Sequence, residues 1–205
     1  MLVFLTVNVL AHGPLVSLDQ QIRQTVQGWA HAAGWRWLAD SPHAPAQLIT
    51  WLGSPLAVGV LAGLAAALSI RRHTLRPLLI AATGVALLLV TVIPAKIIIA
   101  RPGPGASVLP SGSWGYFPSG HTSTACVCYS IAVLLLIAGR PARVRRAALA
   151  GLAGVWLLVG VALIWCDYHW ASDVLAGWAL SALIVWLALR VRWPGGQRAK
   201  AGALH

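Results

Sequence analysis

The chain has 205 residues, 59% of them hydrophobic and only 9% charged, with a formal net charge of +11 and a mean hydropathy of +0.77. Soluble domains carry about 25% charged residues, so this composition excludes an ordinary soluble enzyme and points to an integral membrane protein. The basic residues sit in short clusters between apolar runs, which is the pattern of cytoplasmic membrane loops and argues against a nucleic-acid partner.

Met1 to Ala11 is apolar and lacks the basic start and small-residue cleavage site of a signal peptide. It is short for a span, which takes about 20 residues. It reads as a first helix that is short, is completed by residues up to Val16, or lacks its natural start. From Ser17 to Trp37 the character changes. Leu15, Leu18, Ile22, Val26, Trp29, Ala33 and Trp37 recur every three or four positions and define one helical face. Asp19, Gln20, Gln21, Arg23, Gln24 and Gln27 fall elsewhere, and Ser17 followed by Gln20 fits a capping box. The expectation is an amphipathic helix on the membrane surface, with a soluble packing helix as the alternative. His12, His31 and His43 read as solvated loop or interface residues.

After a break at 40–45, spans are expected at 47–70 and 77–95, the latter closed by Lys96. A Pro/Gly-rich loop follows at 97–118, then a helix at 119–138. A basic stretch at 139–146 leads to a helix at 147–166. The short turn Asp167-Tyr168-His169 precedes a last helix at 170–189. With the first helix this makes an all-α bundle of six transmembrane helices, with an amphipathic interfacial helix after the first span. The expected domain spans residues 1–192, and 193–205 form a basic cytoplasmic tail. Cys126, Cys128 and Cys166 show neither a disulfide framework nor zinc spacing and read as small buried hydrophobes.

Eleven of the fifteen basic residues fall in three groups: Arg71, Arg72 and Arg76; Arg140, Arg143, Arg145 and Arg146; and Arg190, Arg192, Arg198 and Lys200. Alternating spans put all three groups on one side, the cytoplasm. The opposite, extracytoplasmic side receives Lys96, Arg101, His121, Asp167, His169 and Asp173, with Trp114, Trp165 and Trp170 as an interfacial belt. The chain is therefore expected in a bacterial-type plasma (inner) membrane with its C-terminus cytoplasmic.

The polar residues on that side have a chemistry. Pro118-Ser119-Gly120-His121 opens a helix, whose free N–H groups and positive dipole end suit an anion, most naturally a phosphate. Ser119 either caps that helix or donates to a phosphate oxygen, and Gly120 lets the anion approach the backbone. His169 and Asp173 are spaced i, i+4 and share a helical face. The carboxylate accepts from Nδ1–H and leaves Nε2 as nucleophile or base. Lys96 and Arg101 add cations suited to a phosphate or diphosphate headgroup. No spare carboxylate cluster exists for a metal, so neither a metal nor another cofactor is expected.

Lys96…Arg101-Pro102, Pro118-Ser119-Gly120-His121 and His169-x-x-x-Asp173 resemble the three signature motifs of the type 2 phosphatidic acid phosphatases, or lipid phosphate phosphatases, in their bacterial integral-membrane branch. The resemblance implies a fold shared with vanadium haloperoxidases and bacterial acid phosphatases. It also implies that His169 is the nucleophile, Asp173 its orienting partner and His121 the general acid. Lys96, Ser119 and Gly120 would hold the phosphate. Two positions depart from the family pattern. Gly103 stands where the first motif usually has an arginine, and Ala162-Leu163 stand where the third motif usually begins Ser-Arg. One expectation is that Arg101 shifts inward as the phosphate clamp, with Asp167 pairing to Lys96 or Arg101 and Asp167 and Tyr168 modulating the site. The implied function is hydrolysis of a lipid phosphate or diphosphate through a phosphohistidine. Candidate substrates are a polyprenyl diphosphate, phosphatidate, phosphatidylglycerophosphate and diacylglycerol diphosphate. The alternative is a member that binds or transports phosphorylated lipids without hydrolysis.

Overall fold

The computed structural model describes residues 1–41 and 43–191, so the expected tail at 193–205 lies outside the described residues. The described residues form eight α-helices: α1 (Leu2–Leu10), α2 (Pro14–Ala32), α3 (Pro45–Thr50), α4 (Pro55–Arg71), α5 (Arg76–Ile99), α6 (Gly120–Ile137), α7 (Ala142–Trp165) and α8 (Ala171–Leu189). Short 3₁₀ turns occupy Trp35–Leu38 and Trp51–Gly53. The helices α5, α6, α7 and α8 are each long and apolar enough to cross a membrane. Counting each of two bent pairs as one span raises the number to six: α1 with α2, at 91°, and the segment Pro45–Gly53 with α4, at 51°.

Several boundaries differ from the sequence expectation, each for a local reason. The amphipathic helix starts at Pro14 with Gly13 as N-cap, because Pro at the first position is pre-set for a helix. Ser17 therefore lies inside the first turn and donates to the Pro14 carbonyl, so the expected capping box does not form. The same helix stops at Ala32, since Gly34 takes a left-handed conformation (φ +68°), and Trp37 falls in a separate 3₁₀ turn. The expected span 47–70 is broken at Ser54-Pro55, where the Ser54 hydroxyl caps α4 through the Leu56 N–H. The span expected to close at Lys96 runs on through Ile99 despite Pro94, and Ala100 (φ +47°) ends it. At the other end of the bundle Arg143, Arg145 and Arg146 belong to the first turns of α7, not to a loop.

The centre of the bundle is α6, buried along most of its length and touching α4, α5, α7 and α8. One apolar cluster joins α4, α5, α6 and α8 through Leu61, Leu88, Ile131 and Ile184. A second ties α6 to α7 and α8 through Ala125, Val159, Leu163 and Val174. A third seats α1 on Phe117 and α8 through Leu5, Val9 and Ala176. Lipid tails are as apolar as these side chains, so helices in a bilayer associate by close packing and not by exclusion of water. Small residues at the crossings serve that purpose. A Cβ at Gly177 would stand 3.0 Å from the Cβ of Thr122, and Ser181 donates to the Gly177 carbonyl and the Ser123 carbonyl. Gly84 of α5 lies directly against Ile131 of α6.

The basic turns and the polar motifs end up at opposite ends. The motif-bearing N-terminus of α6 is Gly120, while Arg72 donates to the Leu135 carbonyl near its C-terminus. At 1.5 Å per residue these ends are separated by roughly 25 Å, close to the thickness of a bilayer core.

Replacing Gly84 tests the packing account. In Gly84→Ala only the terminal methyl of Ile131, the far end of a flexible side chain, must shift, and stability is expected to fall by less than in the Leu variant. Gly84→Leu overpacks the α5–α6 crossing and lowers unfolding free energy by about 1–3 kcal/mol, read as a fall in thermal unfolding temperature in detergent. Equal stability of the Leu variant and wild type would refute the close crossing.

Candidate active site

The Pro118–His121 stretch forms a helix start as the sequence suggests. Ser119 is the N-cap of α6, and its oxygen accepts from the Thr122 N–H at 3.2 Å. Its own N–H donates to the Asp173 carbonyl at 3.0 Å, which ties this helix start to α8. The residue is fully buried and does not line the cleft, so the structure gives its hydroxyl the capping role and not the phosphate contact. Gly120 does line the cleft. A Cβ there would sit 3.3 Å from the Cε of Lys96, so the absence of a side chain lets Lys96 cross the helix start. The Lys96 ammonium donates to the Gly115 carbonyl at 2.7 Å.

The His169–Asp173 pair forms, but not across one helical face. His169 lies in the turn before α8, which begins at Ala171. Asp173 is the third helical residue, and its Oδ2 reaches back over the helix start. It accepts from the Trp170 N–H at 3.2 Å and meets His169 Nδ1 at 3.3 Å. A carboxylate in the first turn satisfies orphan N–H groups and complements the helix dipole, so one side chain caps the helix and orients the imidazole. Nε2 of His169 has no partner among the described residues. The backbone N–H of His169 donates to the Leu163 carbonyl at 3.3 Å, fixing the turn to α7.

These elements enclose a cleft of about 460 Å³ lined by Gly53, Ser54, Pro55, Lys96, Trp114, Gly115, Tyr116, Gly120, His121 and His169. The imidazoles of His121 and His169 are 6.4 Å apart between ring centroids. Tyr116 contacts His169 edge-on at 5.5 Å. Gly53 packs so closely on the His121 backbone that no Cβ fits there. Lys96, Gly120, His121, His169 and Asp173 are thus brought together from α5, α6, the α7–α8 turn and the start of α8. Among the described residues no group of three or more His, Cys, Asp or Glu side chains is arranged to hold a metal ion.

Arg101 is not a clamp in this cleft. Its guanidinium is buried behind the site, donating from Nη1 to Asp173 Oδ1 at 2.6 Å and to Ser172 Oγ at 2.7 Å, and from Nη2 to Asp19 Oδ2 at 2.7 Å. It stays there because two buried carboxylates need a cation: side-chain exposure is 8% for Arg101, 3% for Asp19 and 0% for Asp173. Asp167 likewise pairs with neither Lys96 nor Arg101. It accepts a two-pronged contact from Arg23 of α2, at 2.7 and 2.6 Å. Tyr168 is exposed, donates to Gln47 of α3 and does not line the cleft.

The two departures from the arginine pattern are built into the packing. A Cβ at Gly103 would fall 2.6–2.9 Å from the ring of Tyr116, so the aromatic ring covers that position. Leu163 is fully buried in the α6–α7–α8 cluster. Sequence reasoning missed Asp19 as a site residue and did not single out Tyr116. For Asp19 a signal existed, since it is one of only four carboxylates in the chain. For Tyr116 nothing in the local sequence marked its ring as lying over Gly103.

A family model of the PAP2 superfamily matches residues 77–196. No curated protein sequence matches the chain. In fold, the chain is similar to the crystal structure of a transmembrane PAP2-type phosphatidylglycerolphosphate phosphatase from Bacillus subtilis, with a TM-score of 0.72 and 24% identity over 91% of this chain and 92% of that one.

Removing the buried cation has a predictable cost. Arg101→Ala strands Asp19 and Asp173 without a counter-charge, and breaking a buried pair costs about 3–5 kcal/mol. The variant is expected to unfold at clearly lower denaturant or temperature than wild type, whatever its activity. Unchanged stability in Arg101→Ala would contradict the buried pairing.

Proposed function

The chain belongs to the PAP2 superfamily of phosphatases, and from that premise we propose that it hydrolyses a lipid phosphate or diphosphate through a phosphohistidine at His169. The observation that carries the reading is the state of His169. Asp173 holds Nδ1, while Nε2 has no partner among the described residues and lies in a cleft that also presents Lys96, His121 and the N-terminus of α6.

Each of these groups has a part in the proposed reaction. The substrate phosphate sits at the start of α6, where the dipole and the Lys96 ammonium favour an anion and Gly120 keeps the approach open. Nε2 of His169 attacks phosphorus while the bond to the leaving oxygen breaks. Asp173 keeps the proton on Nδ1 and stabilises the positive charge that develops on the ring. The leaving oxygen takes a proton from His121, giving a lipid alcohol from a monophosphate or a lipid monophosphate from a diphosphate. Water then attacks the phosphohistidine, loses a proton to His121 and releases inorganic phosphate, which restores both histidines. Every step uses side chains that the chain itself supplies in or behind the cleft, so the reaction is proposed to need no metal.

The substrate class follows from depth and wall chemistry. The cleft opens at the end of apolar spans, beside the exposed indole of Trp114, where a headgroup is within reach and its hydrocarbon stays in the bilayer. With the basic turns on the cytoplasmic side, this end faces out of the cell. Polyprenyl diphosphate, phosphatidate, phosphatidylglycerophosphate and diacylglycerol diphosphate all meet these requirements.

The test is a phosphate-release panel of those four lipids with purified protein in detergent, beside His169→Ala and His121→Ala. Release is expected from at least one lipid and to persist in EDTA. His169→Ala should fall to background, and His121→Ala should lose about 10²–10⁴-fold. Headgroup binding without turnover, or full activity in His169→Ala, would sink the hydrolytic reading in favour of a lipid-binding role.

A further inference from the structure

We propose that Asp19 of α2 is a positioning residue for His169, so that α2 is a working part of the catalytic unit. The inference rests on the phosphatase reading above. Asp19 lies outside residues 77–196, the part of the chain that carries the family's sequence pattern.

Asp19 is almost fully buried in a chain with only four carboxylates. A buried carboxylate must be paired and hydrogen-bonded, and this one is satisfied entirely by the catalytic region. It accepts from Arg101 Nη2 at 2.7 Å, from the Ser172 N–H at 2.9 Å and from the Ser172 hydroxyl. Ser172 is the second residue of α8, so its N–H is one of the orphan donors of a helix start. Asp19 therefore caps α8 from another helix, one residue before Asp173. It also fixes the guanidinium that holds Asp173 Oδ1, leaving Oδ2 aimed at His169 Nδ1.

The charges explain why two carboxylates flank one arginine. Arg101 alone would cancel Asp173 and weaken its hold on the imidazole. With Asp19 the set of two carboxylates and one guanidinium keeps one net negative charge behind His169. That charge opposes the positive charge developing on the ring as Nε2 bonds to phosphorus. The effect is specific to the transition state, so it belongs in kcat more than in substrate binding.

The rest of α2 keeps this contact in register. Asp19, Arg23 and Gln27 recur at intervals of four residues and form one stripe. Arg23 grips Asp167, and Gln27 donates to the Trp165 carbonyl at 3.4 Å. All three contacts fall on residues 165–173, the turn that carries the nucleophile and the start of α8. Leu18 and Trp29 are exposed on the outer side of the helix. Arg23 and Asp167 are each about one-third exposed, so their pair sets alignment more than it adds stability.

The test compares wild type with Asp19→Asn, Asp19→Glu and Asp19→Ala in purified full-length protein. Asp19→Asn keeps an acceptor oxygen and removes the charge. It is expected to lower kcat about 10–100-fold while KM stays within about threefold. Asp19→Glu, which retains the charge, should keep more of kcat than Asp19→Asn, and Asp19→Ala should keep least. A second measurement needs no turnover: calorimetric binding of orthovanadate, which bonds to a positioned imidazole, beside inorganic phosphate. Asp19→Asn should weaken vanadate about tenfold relative to phosphate. If wild type cleaves no lipid, the phosphatase reading fails, and the vanadate-to-phosphate ratio still decides the role of Asp19. An unchanged ratio, an unchanged kcat with only a lower unfolding temperature, or a rise in KM alone overturns the proposal.

Discussion

The guanidinium of Arg101, held between Asp19 and Asp173, is the contact on which the polar end of this bundle depends. In a bilayer-facing protein each of these groups is expensive to bury, and none is tolerated without its partners. Satisfying them fixes three separate pieces of chain at once: α2 through Asp19, the end of α5 through Arg101, and α8 through Ser172 and Asp173. The 91° bend between α1 and α2 follows naturally. Folding back lays the Asp19 carboxylate on Arg101 and on the start of α8. Trp170 closes the arrangement, with its indole N–H on the Pro102 carbonyl and its ring 5.3 Å from the Arg101 guanidinium carbon.

Committing Arg101 to this structural and electrostatic task changes how the cleft handles an anion. The usual arginine positions are closed by other means. Tyr116 covers Gly103, and Leu163 packs in the core. The positive potential at the cleft is left to the Lys96 ammonium and the backbone of the α6 start. Lys96 is a compact point charge on a flexible stem, without the planar fork that grips two phosphate oxygens at once. A cleft of this kind supplies charge with little directional demand, while the apolar wall from Trp114 and Tyr116 supplies contact area. Such a balance suits a headgroup whose position is already limited by a hydrocarbon tail in the bilayer, because the membrane then contributes part of the orientation a second arginine would provide.

The number of apolar segments, the helix starting at Ser119 and the convergence of Lys96, His121, His169 and Asp173 were legible from the residues, because hydropathy, helix-start chemistry and alternating topology each act over short stretches of chain. Three things were not. The break at Ser54-Pro55 leaves hydropathy uninterrupted, so an apolar run of the right length hid a bend. His169 and Asp173 meet through a helix cap and not a shared face, two geometries that give the same spacing. Asp19 was read as one of many polar residues on an amphipathic helix. Periodicity reports which residues share a face, not what that face meets, and a polar stripe pointing at water looks the same as one pointing at a buried arginine.

Which side of α2 carries the information can be argued from charge scarcity. Among the four aspartates, Asp40 pairs with Arg36 four residues before it on the surface, while Asp19, Asp167 and Asp173 form ion pairs around the turn that carries His169. A chain that otherwise excludes acids retains three of them at one end of the bundle and matches all three with arginines far away in sequence. Solubility does not require this, since the lipid-facing surface is apolar and the opposite end is basic. Local helix stability does not require it either, since Arg23–Asp167 and Arg101–Asp19 join different helices and turns. What these long-range pairs do specify is a relative placement of α2 against the α7–α8 turn. In that placement α2 leaves Leu18 and Trp29 exposed on one side and braces the turn that carries His169 with the other.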